Sequence, residues 1–411
     1  MKLVIILIYA AVTLFDLFLK LLNYRHRNAP IPANVRDVYD EETYKKRMAY
    51  DMENLRLDIA SRLVTLAVFV VVMAMNWHSA FFYAIEPHIG NVYIQAFLLF
   101  ALLNIIEIPS DIIFGAIKTF KIEAKYGFNK ASVGTFIADF VKDLILIFVL
   151  MLGGLSLFMV LHGWLGNWVF VVFIGVLVLI GLIAALFSRF ILRLAYKLTP
   201  LEDGALKDRI MKFASEMDFP VKSIFIANAS KRSTKVNAGF AGLGKFKTII
   251  LFDTLLENYA EDEILSILAH EVGHAKKKHS LRKRPMNIIQ DSVMMLVAFF
   301  VVNSDGLSYA FGFTELNIAF SIVVLFSVIS LINLPLNTVK NIISRKFEYE
   351  ADDFAVKHVG VEPSVSMMKK GAGDNFANLT PHPLLVAMTY SHPPITDRVA
   401  NMEKTGKKVT K

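Results

Sequence analysis

Apolar and polar segments alternate along the 411 residues of this chain, and seven apolar runs are each long enough to cross a bilayer as a helix. They cover residues 3–22, 63–75 extended by 81–85, 93–117, 144–161, 168–187, 286–302 and 316–336. The composition agrees, because 55% of the residues are hydrophobic and only 19% are charged. The pattern predicts an integral membrane protein with about seven spans.

The first run could instead be a cleaved signal peptide. However, no small-residue cleavage site follows it, and the run is longer than a normal signal-peptide core. We therefore interpret it as a retained span, interrupted by Asp16 and Lys20.

The distribution of Lys and Arg predicts the orientation in the membrane. Residues 78–92, 163–167 and 303–315 contain neither, whereas the alternating loops are rich in both. The positive-inside rule then places the N-terminus outside, and residues 189–285 and the C-terminus in the cytosol. The formal charge of +8 could also indicate nucleic-acid binding, but the chain has no aromatic or glycine-rich RNA-binding signature. We expect the lipid bilayer as a partner and no nucleic acid.

Polar residues appear inside several of the apolar runs: Asp16, Asn104, Glu107, Asp111, Asp291, Asn317 and Asn333. A single asparagine there is typical of a hydrogen bond between packed helices. Several acidic residues together favour a water-filled interior, because a charge that faces lipid is costly.

The polar segment before the sixth run has the residue pattern of a small folded unit with helices and strands. A helix is predicted at 204–217 and strands at 223–227, 236–240 and 248–253, followed by a helix at 260–280. Apolar residues recur at helical spacing in this last helix, and Asn258 with Glu261 predicts its N-terminal cap.

This helix carries His270, Glu271 and His274 in an H-E-x-x-H pattern. Histidines four residues apart lie on one face of a helix, so both can bind one ion while the glutamate reaches a water beside it. The pattern is typical of a zinc peptidase in which the glutamate is the general base. The chain has no cysteine, so a zinc ion needs histidine and carboxylate ligands. A metal site without catalysis remains open.

A third ligand is expected downstream. Residues 344–355 should be helical, with Glu348 and Asp352 one turn apart on one face. Glu348 would bind the ion, and Asp352 would accept a proton from a ligating histidine. The alternative is a solvated acidic helix that pairs with neighbouring basic residues. Glu350 faces away and is the weaker candidate, and His279 is interpreted as part of a basic helix end.

Five segments together carry a family resemblance: KIEAKYGFNK from residue 121, ILFDTLL from 250, HEVGH from 270, SRKFEYEAD from 344 and YSHPP from 390. In this order they resemble the Ste24-type CaaX prenyl proteases, the integral-membrane zinc peptidases of the M48 group. The resemblance implies seven helices around a chamber, with one Zn²⁺ site at the cytosolic end.

The resemblance also implies roles for individual residues. It implies zinc ligands at His270, His274 and Glu348 and a general base at Glu271. It also implies a substrate-pairing strand that includes Asn237 and Ala238. His392 and Arg398 would support the substrate and the oxyanion. Without the family, His392 would be an ordinary loop histidine before two prolines.

The predicted fold class is therefore a mainly α membrane protein, with about seven transmembrane helices enclosing a chamber and a small α+β zincin-like catalytic region on the cytosolic side. The predicted organisation is a five-span membrane region at 1–188, a cytosolic catalytic part at 189–285, two further spans at 286–338 and a cytosolic part at 339–411 that carries the third ligand.

The leading functional hypothesis is a zinc endopeptidase that removes the C-terminal tripeptide of prenylated CaaX proteins. A quality-control protease for misfolded or translocon-jamming membrane proteins is a second enzyme hypothesis. A metal-binding membrane scaffold or transporter is the alternative without hydrolysis. We expect the endoplasmic reticulum membrane if the host is eukaryotic and the inner (plasma) membrane if it is bacterial.

Overall fold

The computed structural model describes residues 1–235, 238–241 and 248–409. The helices of these residues are α1 Lys2–Arg25, α2 Glu41–Ala74, α3 Trp77–Ile85, α4 Val92–Ala116, α5 Val133–Leu165, α6 Val169–Leu186, α7 Ser188–Ala195, α8 Ala205–Glu216, α9 Asp253–Asn258, α10 Glu261–Lys276, α11 His279–Val302, α12 Asp305–Ala310, α13 Ile318–Val359, α14 Val361–Asp374, α15 Pro383–Thr389 and α16 Ile395–Val409. The strands are β1 Leu198–Pro200, β2 Ser223–Ala227, β3 Ala238–Ala241 and β4 Thr248–Phe252.

Within the described residues, six helical segments are long and apolar enough to cross a membrane: Lys2–Asn28, Glu41–Ala74, Val92–Glu123, Val133–Leu186, His279–Val302 and Ile318–Val359. All seven predicted apolar runs overlap these segments. Val133–Leu186 contains two of the runs, and the helices α5 and α6 are separated there by a 3₁₀ turn at Gly166–Trp168.

Two of the predicted spans differ in extent from the helices that form. The second run and its extension are separate helices, α2 and α3, because Asn76 between them adopts a left-handed conformation with φ of 56°. The last run and the predicted ligand helix are instead one continuous helix, α13, of 42 residues. The third predicted ligand therefore lies on an extension of a membrane helix.

Most polar residues inside the apolar runs have local partners. Asp16 forms ion pairs with Lys20 and Arg62. Asn317 is the N-cap of α13, where its side-chain oxygen accepts a hydrogen bond from the Phe320 amide. Asn333 accepts a hydrogen bond of 2.7 Å from Gln290 on α11. Of these contacts, Asp16–Arg62 and Asn333–Gln290 join different helices of the membrane part.

The small sheet has the strand order β1-β2-β4-β3. The central strands β2 and β4 are parallel, and β1 and β3 pair antiparallel with them. The strand at 223–227 is confirmed, and that at 248–253 is one residue shorter. The strand predicted at 236–240 forms at Ala238–Ala241, while 236 and 237 lie outside the described residues. The short strand β1 was not predicted, since only its three residues pair before the chain turns.

The helix that carries the H-E-x-x-H pattern is α10. Its N-cap is Ala260 rather than the predicted Asn258, and the Ala260 amide donates to the Glu263 carboxylate at 2.9 Å. Asn258 belongs to the preceding α9, where its side chain donates to the Thr254 carbonyl. The N-cap lies two residues later than expected because the chain is still helical at 258, and α10 ends at Lys276 rather than at 280.

An apolar core next to the small sheet holds α10 in place. Apolar residues from the sheet, α8, α9, α10 and α13 pack together there: Ile210, Phe213, Ile249, Leu251, Leu255, Ile264, Leu268, Val272 and Ala355. Each Å² of apolar surface that such side chains remove from water stabilises the fold by about 25 cal/mol. The H-E-x-x-H helix is thereby fixed between the sheet and the C-terminal half of α13.

Candidate functional site

The nitrogen and oxygen atoms of three side chains converge between α10 and α13. His270 Nε2 and His274 Nε2 lie 3.1 Å apart, and each lies 3.4 Å from one oxygen of the Glu348 carboxylate. The two histidines come from successive turns of one helix, as their spacing of four predicts. The structure therefore brings together the three predicted metal ligands.

These three residues fit a metal ion. Their potential ligand atoms all lie within 4.8 Å of one another, and no other such group of three occurs among the described residues. Glu348 is 4% exposed, and its Oε2 is buried without a hydrogen-bond partner in the described part of the chain. An unsatisfied buried carboxylate oxygen is costly, and an ion bound by two imidazoles and this carboxylate would remove that cost.

Asp352 fixes the orientation of His270 through the ring nitrogen that does not face Glu348. The Nδ1 atom of His270 lies 2.9 Å from Asp352 Oδ1, so Nε2 points at Glu348. Burial alone would lower the pKa of His270, but the hydrogen bond to Asp352 and the nearby Glu348 carboxylate outweigh it and raise that pKa. Asp352 thus has the position expected of a residue that orients a ligating histidine.

Arg398 completes this arrangement. Its guanidinium donates two hydrogen bonds to Asp352, of 2.8 and 2.6 Å, and lies 3.6 Å from Glu348 Oε2. The side chain is nearly buried, so the bidentate pair is shielded from water. In this structure Arg398 holds the group that orients His270, and its predicted contact with substrate remains a proposal.

His274 has a partner that the sequence analysis missed. Its Nδ1 lies 2.8 Å from Nδ1 of His279, and His279 Nε2 lies 3.2 Å from Glu350 Oε2. His279 is 1% exposed and stacks on Phe347 at 4.3 Å between ring centres. The interpretation of His279 as part of a basic helix end was therefore wrong, because the left-handed Lys278 turns the chain and points this histidine inward. Glu350, the weaker ligand candidate, supports His279 and is not among the three converging residues.

Gly273 lets the two helices approach. A Cβ at this position would lie 2.9 Å from Phe354 Cβ and 3.2 Å from the Ala351 Cα. Such distances are shorter than real Cβ contacts, so only glycine permits α10 to pack this closely on α13. The glycine inside the HEVGH segment therefore sets the distance between the histidines and Glu348. The sequence pattern alone does not reveal this role.

The remaining predicted residues surround the converging group. Glu271 is partly exposed on α10, next to the two histidines in sequence. His392 Nε2 lies 3.4 Å from Glu348 Oε1, and its side chain is 63% exposed. Ala238 begins β3 at the edge of the sheet, whereas Asn237 lies outside the described residues. Of these residues, His392 is the one whose side chain contacts the converging group, while Glu271 shares its helix and β3 packs against that helix.

The chain matches two family descriptions that together cover most of its length. Residues 20–197 match "CAAX prenyl protease N-terminal, five membrane helices", and residues 200–406 match "Peptidase family M48". The second match includes all the converging residues described above.

Curated relatives match along nearly the whole chain. A "Probable CAAX prenyl protease 1" of Schizosaccharomyces pombe is 30% identical over 95% of this chain and 86% of its own length. A "CAAX prenyl protease 1 homolog" of Oryza sativa subsp. japonica is 28% identical, with 96% and 95% covered. Both relatives therefore include the membrane part as well as the catalytic part.

A crystal structure of S. mikatae Ste24p has the same fold. It superposes with a TM-score of 0.91 at 25% sequence identity and covers 98% of this chain and 99% of its own. Together with the M48 match over half of the residues, the observations establish that the chain belongs to peptidase family M48 and is a multi-pass membrane metalloprotease.

Proposed function

We propose that this protein is a zinc endopeptidase that hydrolyses the C-terminal tripeptide from prenylated CaaX proteins. The observation that carries the proposal is the convergence of His270, His274 and Glu348 on one point beside Glu271. The names of the curated relatives support the substrate class.

His270, His274 and Glu348 would hold one zinc ion, because imidazole and carboxylate are the ligand set of catalytic zinc sites. When bound, zinc supplies Lewis acidity towards a carbonyl oxygen and towards water. Asp352 and His279 each hold a ligating imidazole by its Nδ1 atom, so Nε2 is free for the ion. These contacts support a pre-organised site.

Glu271 is assigned the proton transfers. Its carboxylate would take a proton from the attacking water and deliver it to the leaving amine. His392, which faces Glu348 from an exposed loop, would donate a hydrogen bond to the oxyanion that forms at the substrate carbonyl. Arg398 would add positive charge near the site while it donates hydrogen bonds to Asp352.

The substrate peptide would bind as an added strand. Among the described strands, β3 is an outer one, paired on one side with β4, and α10 contacts it. A peptide pairing along 237–238 would be held by main-chain hydrogen bonds and would extend towards Glu271.

The membrane part would enclose the rest of the substrate. We propose that α5 and α6 cross separately, which gives seven spans around a chamber, with the N-terminus outside and the metal site facing the cytosol. The proposed membrane is that of the endoplasmic reticulum in a eukaryotic host or the inner membrane in a bacterial one. CaaX termini are formed in the cytosol, where such a site would meet them.

A matched pair of peptides tests the substrate class. One peptide carries a farnesylated cysteine before its last three residues, and its twin has the same sequence without the lipid. We expect kcat/KM for cleavage after the cysteine to be much higher for the farnesylated peptide on purified protein. Equal values for the pair would exclude prenyl specificity, and would favour the quality-control hypothesis, while the peptidase chemistry would stand.

A further inference from the structure

A polar cavity of about 640 Å³ is lined by the C-terminal ends of α1 and α4 and the N-terminal half of α2. Tyr390 and Asn378 also line it. Tyr390 is two residues from His392, so their Cα atoms are at most about 7.6 Å apart. The cavity is therefore continuous with the loop that reaches Glu348.

Arg47 is the unusual residue of this cavity. It is 1% exposed, yet only one of its guanidinium nitrogens, Nη2, has a carboxylate partner, which is Asp51. Its Nε and Nη1 are buried and have no hydrogen-bond partner among the described residues. Buried arginine donors are rarely left unsatisfied, because the guanidinium loses its hydration without compensation. The Nε–H and Nη1–H groups point to opposite sides of the guanidinium, so each is free to donate one charge-assisted hydrogen bond to a carboxylate oxygen.

The charge around Arg47 favours an anion. Lys20, Arg27, Arg47 and Lys118 line the cavity together with Asp51, Asp58 and Asp111. Lys20 pairs with Asp58, and Arg47 pairs with Asp51. In the described part of the chain, Arg27 and Lys118 form no ion pair, which leaves two positive charges against Asp111. The cavity thus has an excess of positive charge near the unsatisfied arginine.

We propose that this cavity is a carboxylate subsite, in which Arg47 binds the free C-terminus of the substrate peptide. The inference rests on the proposed function, which releases the last three residues of a chain. An extended tripeptide spans roughly 10 Å, so its terminal carboxylate must lie within about that distance of the bond that is cut. Tyr390, on the wall of the cavity, lies within this reach of His392, which faces Glu348. Recognition of the carboxylate in this cavity would make the enzyme measure the distance from a chain end.

The test compares peptides that differ only at the C-terminus. A peptide ending in a free carboxylate and its carboxamide twin are assayed with the purified zinc-loaded protein, each in farnesylated and unprenylated form. We expect kcat/KM to favour the carboxylate by about 10-fold or more, since a charge-assisted hydrogen bond is lost in the amide. If the enzyme does not prefer farnesylated peptides, the unprenylated pair still measures the effect of the C-terminal carboxylate.

Arg47→Gln should bring this ratio close to one by raising KM for the carboxylate peptide, with cleavage of the amide unchanged. Arg47→Lys, which keeps the charge, should retain part of the preference. Arg62→Gln is the matched control, because Arg62 lies on the same helix and forms ion pairs with Asp16 and Asp58 but does not line the cavity. We expect the control to keep the wild-type ratio.

Three results would overturn the proposal. A ratio near one in the wild type would exclude carboxylate recognition, although cleavage of the farnesylated peptide would still support the proposed function. An equal loss for acid and amide in both Arg47 variants would assign Arg47 a structural role. A phospholipid headgroup offers similar chemistry, so inhibition by added phosphatidylglycerol that disappears in Arg47→Gln would identify a lipid as the occupant.

Discussion

His270 and Asp352 are joined by a contact of 2.9 Å between the Nδ1 atom and a carboxylate oxygen. The contact comes from two helices that meet at Gly273, and Arg398 holds the carboxylate from its other side. Because the second ring nitrogen then faces Glu348, the orientation of the ligating imidazole is set before any ion binds.

Replacement of Asp352 should therefore weaken metal binding without removing a ligand. We expect Asp352→Ala to lower zinc affinity by about 10–100-fold, as is usual when a residue that hydrogen-bonds to a ligating histidine is removed. Titration against a competing chelator measures this. Asp353→Ala is the matched control, because the neighbouring carboxylate binds Asn401 and Thr405 instead and should leave the affinity unchanged. Wild-type affinity in Asp352→Ala would contradict the assignment.

Glu348 is expected to behave as a true ligand. Glu348→Ala should lose stoichiometric zinc together with peptidase activity, because two imidazoles alone hold the ion weakly. Elemental analysis of the purified variant measures the zinc content. Glu350→Gln, two residues away, should keep the zinc, since its carboxylate contacts His279 and Arg282 rather than the converging group. If Glu348→Ala retains one zinc per chain, another residue must be the third ligand.

The close packing at Gly273 should make the thermal stability of the protein sensitive to a larger residue at this position. Gly273→Ala introduces a methyl group 2.9 Å from Phe354 Cβ, and we expect overpacking of about 1–3 kcal/mol. Thermal inactivation of the detergent-solubilised protein should occur several degrees lower. Gly371→Ala serves as the comparison, because its Cβ would contact only the Tyr259 hydroxyl at an ordinary 3.6 Å. Similar midpoints for both variants would show that the helices can separate at no cost.

Much of the fold could be predicted from the sequence because its signals are local. The apolar runs gave the membrane helices, and the spacing of His270 and His274 gave one face of α10. The join between the last span and the ligand helix was not predicted, because Pro335 and the polar residues after it suggest a break. Packing from α11 and α15 on either side keeps α13 continuous.

The partner of His274 shows what spacing cannot predict. His279 follows three lysines in the sequence, which is typical of an exposed helix end. It is buried only because the chain reverses at Lys278 and Phe347 of α13 covers the ring. Similarly, the role of the glycine in HEVGH depends on its contact with α13, which is distant in sequence. Such contacts depend on tertiary packing and leave no periodic signal in the chain.

The proposed orientation can be tested by cysteine labelling, because the chain has no native cysteine. Gly90→Cys and Glu315→Cys, both at exposed positions, should react with an impermeant maleimide from outside. Ser280→Cys, exposed at the start of α11, should react only after the cytosolic side is opened. Ser308 is buried and is unsuitable as a labelling position. Labelling of Ser280→Cys in sealed cells would reverse the orientation.

The central claim is that Glu271 transfers protons at a zinc ion held by His270, His274 and Glu348. The most direct measurement is zinc content beside peptide hydrolysis in purified Glu271→Gln. We expect one zinc per chain, as in the wild type, and a loss of kcat of at least about 100-fold, since the ligands survive and only the general base is lost. Hydrolysis at the wild-type rate by the zinc-loaded variant would contradict the mechanism.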